Sequence, residues 1–212
     1  MKSIAFVIPW GGNLPVYFQL WLESCRRNPS VDFLVFTDDC TEYNYPDNVK
    51  VHYMSFEQMK ELFQKHYDFP LSISAPYKFC DFRPAFGEIF SDYLVGYDYW
   101  GHCDVDLMWG DIRKYYTDEI LDNYDKIGFL AHSTLYRNTP EVNARYKTIV
   151  NGLTNYMQVY SSSDGFAFDE PGIENIYNYL NIPYYKGVDF ANLTKYETKF
   201  HLGSKPKQEE YK

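Results

Sequence analysis

An α/β fold is predicted for this chain: a mostly parallel sheet flanked by helices, in a single domain. Three observations carry it. Short, continuous apolar runs bounded by turn residues read as strands buried on both faces. Segments with helical periodicity alternate with them, which implies β-α-β units. The length of 212 residues suits one domain with one substantial core.

Taken in order, SIAFVI (Ser3 to Ile8) is the first strand, stopping at PWGGN. LPVYFQLWLESCRRN (Leu14 to Asn28) carries apolar residues at helical spacing, with Arg26 and Arg27 where the negative end of the helix dipole favours cations. VDFLVFTDD (Val31 to Asp39) is a second buried strand closing on acidic turn residues, and Asn48 to Tyr53 is a third, shorter one. SFEQMKELFQKHY (Ser55 to Tyr67) opens with serine as N-cap. Ser74 to Leu94 reads as helix in its middle despite Pro84. It leads into an aromatic strand, YLVGYDYWGHC (Tyr93 to Cys103). Beyond Gly110 the pattern predicts a helix near Ile112 to Asn123 and a strand near Lys126 to Ala131.

Composition narrows the function. Hydrophobic residues make up 45% and aromatics 20%, with 22 Tyr and 16 Phe, so a packed core is expected and disorder is not. A formal charge of −9 argues against non-specific nucleic-acid binding, which needs a basic stripe. Cys25, Cys40, Cys80 and Cys103 show no CxxC spacing and read as free thiols of a reducing compartment. No secretory leader and no apolar run of about 20 residues is present, so a soluble, cytoplasmic protein is expected, at most peripherally attached to the inner face of the membrane.

The chemistry-bearing stretch is WGHCDVDLMWGDI (Trp100 to Ile112). If the extended backbone persists, His102, Asp104 and Asp106 share one face. Two carboxylates that close repel unless they share a proton or hold a cation between them. A hard divalent ion with positions left for substrate phosphates satisfies this. A solvated turn satisfies it equally, because aspartate favours turns. Context adds weight to the first reading: PWGGN, TDD and DVD all fall at carboxyl ends of strands, where open α/β sheets bind ligands.

Those residues, and PYKFCDFRPAFGEIFSDYLVGYDYWGHCDVDLMWGDI (76–112) in particular, resemble the GT-A class of nucleotide-sugar glycosyltransferases. More closely, the segment resembles a bacterial family of uncharacterised glycosyltransferases found among polysaccharide biosynthesis proteins. The resemblance implies a nucleotide-binding half over about 1–112 and an acceptor half over about 113–205. It implies an Mn²⁺ or Mg²⁺ cofactor, with Asp104 and Asp106 as metal ligands and Asp104 also facing the ribose of the donor. His102 would lie behind these ligands. Pro9, Trp10, Gly11 and Gly12 would cradle the nucleotide, Asp38 and Asp39 would read the nucleoside, and Lys78, Asp81 and Arg83 would hold donor sugar and phosphate. A tight turn, N-capping and a plain Lys78–Asp81 salt bridge are the respective alternatives.

FHLGSKPK (Phe200 to Lys207) resembles the His-x-x-Gly…Lys-Pro signature of glycogenin-like transferases, implying His201 as a third metal ligand and Lys205 on phosphate. The spacing is one residue shorter before the glycine, and the tryptophan after the proline is absent. For an inverting transfer a carboxylate must take the acceptor hydroxyl proton; Asp169 and Glu170 are the candidates, with helix capping before Pro171 as the competitor. His132 is placed at the acceptor or in the core. The expected activity is metal-dependent transfer of a sugar from a nucleotide-sugar donor, UDP-linked by resemblance, to a glycan or lipid-linked glycan in surface polysaccharide or lipopolysaccharide assembly. The alternative is a non-catalytic carbohydrate-binding module of degenerate transferase fold.

Overall fold

In the computed structural model, residues 1–187, 191–193 and 200–202 are described. The chain forms an α/β architecture around a six-stranded mixed sheet flanked by helices. Strands β1 (Ile4–Trp10), β2 (Val31–Thr37), β3 (Val49–Tyr53), β4 (Tyr99–Cys103), β5 (Lys126–Ile127) and β6 (Ser133–Arg137) lie in the order β3-β2-β1-β4-β6-β5. β1 to β4 are mutually parallel, and β6 runs antiparallel to both β4 and β5. A separate antiparallel ribbon joins β7 (Ala191–Leu193) to β8 (Phe200–Leu202).

The continuous apolar character of β1 follows from burial on both faces. Ile4, Phe6 and Ile8 pack with Phe33 and Val35 against helix α1 (Phe18–Arg26), whose Phe18, Trp21 and Leu22 are buried. Ala5 and Val7 pack on the opposite face with Leu34 and Phe36, against Met59 and Phe63 of helix α2 (Phe56–Gln64). Each such large side chain contributes roughly 1.5–3 kcal/mol by leaving water. Ser55 caps α2 as predicted, in a reciprocal box with Gln58.

Three elements depart from expectation. Residues 76–93 form no continuous helix but a staircase of short pieces, Pro76–Lys78, Phe79–Phe82, Arg83–Ala85, Phe86–Ile89 and Ser91–Tyr93. Pro84 supplies no N–H to propagate a longer ladder. The helix expected near 112–123 is two helices, Ile112–Tyr115 and Asp118–Asn123, because Thr117 starts a new one by accepting from Ile120 N. The strand near 126–131 stops at Ile127, followed by Gly128 at φ +99°, and the chain turns back as the antiparallel β6. The cysteines are free, with Cys25 and Cys103 buried and Cys40 exposed. Among the described residues no helix is long and apolar enough to cross a membrane.

Candidate functional site

The order of the strands makes β1 and β4 the point where the sheet's winding reverses, and ligands of such sheets bind outside the carboxyl ends there. Ile4 stands opposite Tyr99 and Phe6 opposite Gly101. Both strands run on past this last pair, β1 to Trp10 and β4 to Cys103, so Asp104 leaves the sheet at the carboxyl edge that Pro9 and Trp10 also reach. β4 ends at Cys103, and a bend at Val105 and Asp106 interrupts the alternation. The shared face expected for His102, Asp104 and Asp106 is therefore not formed: His102 is fully buried, Asp104 half-buried and Asp106 exposed.

Because β6 runs backwards, the loop that precedes it reaches the same edge as Asp104. Asp104 N donates to His132 O at 3.0 Å, continuing the β4–β6 pairing by one step. His132 Nδ1 then lies 3.2 Å from Asp104 Oδ2, and Arg83 Nη2 donates to Asp104 Oδ1. Arg83 uses Nη1 on Asp169 Oδ2 and on Ala131 O, both at 3.1 Å. Ala131 N in turn donates to Glu170 Oε1 at 3.2 Å. Five residues singled out by sequence, Arg83, Asp104, His132, Asp169 and Glu170, thus meet around one loop.

The electrostatics of the cluster come from its burial. Asp169 is 5% exposed, and desolvation lifts its carboxyl to about 6 against the opposing pull of Arg83. Burial also works against the charge on Arg83, but the surrounding Cys80, Asp104 and Asp169 outweigh it and hold the guanidinium above its ordinary range. His102 lies close by in the sheet; burial, with Arg83 and Lys126 nearby, pushes it far below the usual histidine range, so it is a neutral core residue.

Lys78 and Asp81 stand behind this cluster. The Lys78 ammonium is buried and donates to Asp81 at 2.9 Å, to Val159 O and to Asp164 O, which uses its three hydrogens. Asp81 accepts from Phe166 N at 3.1 Å and from Phe168 N at 3.0 Å. Between those two bonds sits Ala167 at φ 49°, a left-handed conformation costly for a side-chain-bearing residue. Next comes a π-turn, Phe168–Gly172, containing Pro171. The pair predicted to hold donor therefore fastens the strained turn that presents Asp169.

The first glycine loop forms a second cluster. Asp38 Oδ1 accepts from Gly12 N and Asp39 Oδ2 from Leu14 N, both at 2.7 Å, so these aspartates shape the loop from within. A Cβ on Gly11 would sit 2.7 Å from Pro76 Cγ, so Gly11 is required by close packing against Pro76. Gly12 at φ +86° faces open space and is required by the turn itself. Trp10 Nε1 donates to Asn13 O across the same turn.

Among the described residues no group of three or more His, Cys, Asp or Glu side chains is gathered to hold a metal ion. Just past the end of β4 stands a pair of carboxylates, Asp104 and Asp106, with Asp104 already engaged by Arg83. That set fits a hard cation only where a ligand's own oxygens complete the coordination, as magnesium usually requires. His201 falls in β8 by its backbone, with its side chain outside the described residues. Lys205 also lies outside the described residues. Sequence reasoning missed the backbone of Ala131, the hub that Arg83 and Glu170 both grip; no side-chain signal marks such a position.

Residues 6–212 match a family of unknown function, DUF6625, and the chain belongs to that family. No curated protein matches the chain.

Proposed function

We propose that this chain is a glycosyltransferase of GT-A type, moving a sugar from a nucleotide-sugar donor, UDP-linked, to a glycan or lipid-linked glycan acceptor in surface polysaccharide assembly at the inner face of the membrane. The observation that carries the proposal is the meeting of Asp104, Arg83 and Asp169 at the carboxyl edge of parallel strands, beside the switch between β1 and β4. Arg83 is a fixed, buried cation beside the place where a diphosphate would sit, in a protein whose net charge of −9 otherwise repels anions. Asp104 and Asp106 would hold Mn²⁺ or Mg²⁺ together with the donor's phosphates, and such an ion neutralises the departing nucleoside diphosphate. Pro9 to Gly12, shaped by Asp38 and Asp39, would border the nucleotide.

Asp169 suits proton abstraction from the acceptor hydroxyl, since a base works best when its pKa lies near the working pH. Glu170, bonded to Ala131 N, orients the loop that carries His132. The test is release of UDP from a panel of UDP-hexoses. Wild-type turnover, with loss of about a hundredfold or more in Asp169→Asn, is expected for a missing base. The absence of turnover with every nucleotide-sugar offered would refute it. One observation favours a second reading: Asp104 is ion-paired with Arg83 and no three-residue metal cluster is formed among the described residues. That arrangement also suits a degenerate transferase fold kept for carbohydrate binding, which would bind glycan without nucleotide.

A further inference from the structure

Phe168, Pro171 and Gly172 flank Asp169 in sequence and, while Asp169 turns to Arg83, they wall a separate cavity of about 170 Å³. Its remaining walls come from four residues between Thr148 and Thr154, from Val159 and Phe166, and from the helix Ile173–Tyr179. The lining is mixed. Phe166 is an aromatic ring 36% exposed, with the Lys78 ammonium 5.1 Å from its centroid. Thr148, Thr154 and Asn175 bring two hydroxyls and an amide to the same space. Among the described residues, none of those three side chains has a hydrogen-bond partner in the protein, although hydroxyls and amides nearby spend theirs: Asn155 caps a helix and Ser162 bonds Asp164.

We infer that this cavity is a binding subsite for a single pyranose ring. A sugar ring offers an apolar C–H face and a rim of hydroxyls. An exposed aromatic ring answers the first, and unspent hydroxyl and amide groups answer the second. The size agrees, because the cavity is well below the roughly 300–1,000 Å³ of a pocket for drug-sized ligands and admits one ring. Purely apolar ligands would strip water from Thr148, Thr154 and Asn175 without replacing its hydrogen bonds, which costs binding energy. Since the wall is the turn that presents Asp169 while Asp169 itself faces Arg83 and does not line the cavity, the bound ring is a sugar of the acceptor glycan next to the reacting one, not the reacting sugar itself. That last assignment rests on the transferase reading; binding of the ring does not.

The test is saturation-transfer NMR of the full chain, without nucleotide, using methyl glucoside, galactoside and mannoside and the octyl glycosides of the same sugars. The expected result is saturation of ring C–H protons for at least one sugar. Affinity should weaken about tenfold in Phe166→Ala and in Asn175→Leu, the worth of one good contact. Both positions are exposed, and a circular dichroism melt identifies a variant that has unfolded. No transfer to any pyranoside, transfer unchanged in both folded variants, or saturation confined to the octyl chain would overturn the inference. A parallel titration with UDP separates the two claims: pyranoside binding without UDP binding keeps the subsite and sinks the donor reading, and the converse sinks the subsite alone.

Discussion

Arg83 joins Asp104 to Asp169, one amino group of the guanidinium on each carboxylate, with the Asp169 bond at 3.1 Å. Arg83 thereby ties the end of β4 to a π-turn whose Asp169 lies 86 positions beyond Arg83 itself. Removing one partner of a buried pair is costly because the other is left uncompensated. Arg83→Ala should destabilise the fold by about 3–5 kcal/mol, and adding Asp169→Asn to it should restore part of the loss. Urea unfolding of the two single variants and the double variant measures the coupling; strictly additive losses would contradict the bridge.

The raised carboxyl of Asp169 sets a pH dependence. Its folded value, about 6, lies above its unfolded one, so the contribution to stability is complete below about pH 4 and is lost as pH rises through 6. The size is on the order of 3 kcal/mol. Turnover should show the opposite slope, rising through about pH 6 as the base ionises. In Asp169→Asn both limbs should vanish from stability and rate profiles.

Lys126 titrates in the other sense. Burial lowers its ammonium to about 7, while its nitrogen donates to Gly128 O and lies 4.3 Å from the centre of the Tyr184 ring. The unfolded chain holds that proton up to the ordinary lysine range and the folded chain gives it up near 7, so stability contributed here increases from pH 7 towards 10. Lys126→Met should flatten that slope, as thermal melts at pH 7, 8.5 and 10 would show.

The two glycines of the first loop should respond differently. Gly11→Ala drives a methyl into Pro76, so Pro76→Gly should relieve it. Gly12→Ala meets nothing but must hold φ +86°, at about 1–2 kcal/mol of backbone strain, and Pro76→Gly should not help. A four-variant melt series decides this; equal rescue of both glycines would refute the distinction.

Legibility in the sequence followed burial. β1, β2 and α1 were readable because runs such as AFVI are apolar on both faces or at helical spacing, and α2 because Ser55 and Gln58 announce their cap. The staircase 76–93 was not, since its pieces are fixed by tertiary packing of Phe79, Phe82, Phe86 and Phe90 in the core while periodicity alone suggests one helix. β6 was missed because its polar flanks, Ser133 and Arg137, hide a three-residue buried centre. At the site, residue types were legible and roles were not. Lys78 and Asp81 read as ligand contacts, but only the fold shows that their charges are spent on the turn at Ala167. Asp38 and Asp39 likewise turn inward to backbone amides.

Whether Asp104 and Asp106 face a nucleoside diphosphate is decided by calorimetric titration with UDP, with and without Mn²⁺, in the wild type and in Asp106→Ala. Asp106 is exposed, so its removal leaves the Arg83 bridge intact. The expected result is UDP binding that requires the ion and that falls at least tenfold in the variant, the loss of one coordinating carboxylate. UDP binding indifferent to both Mn²⁺ and Asp106, or no binding at all, would contradict the donor site.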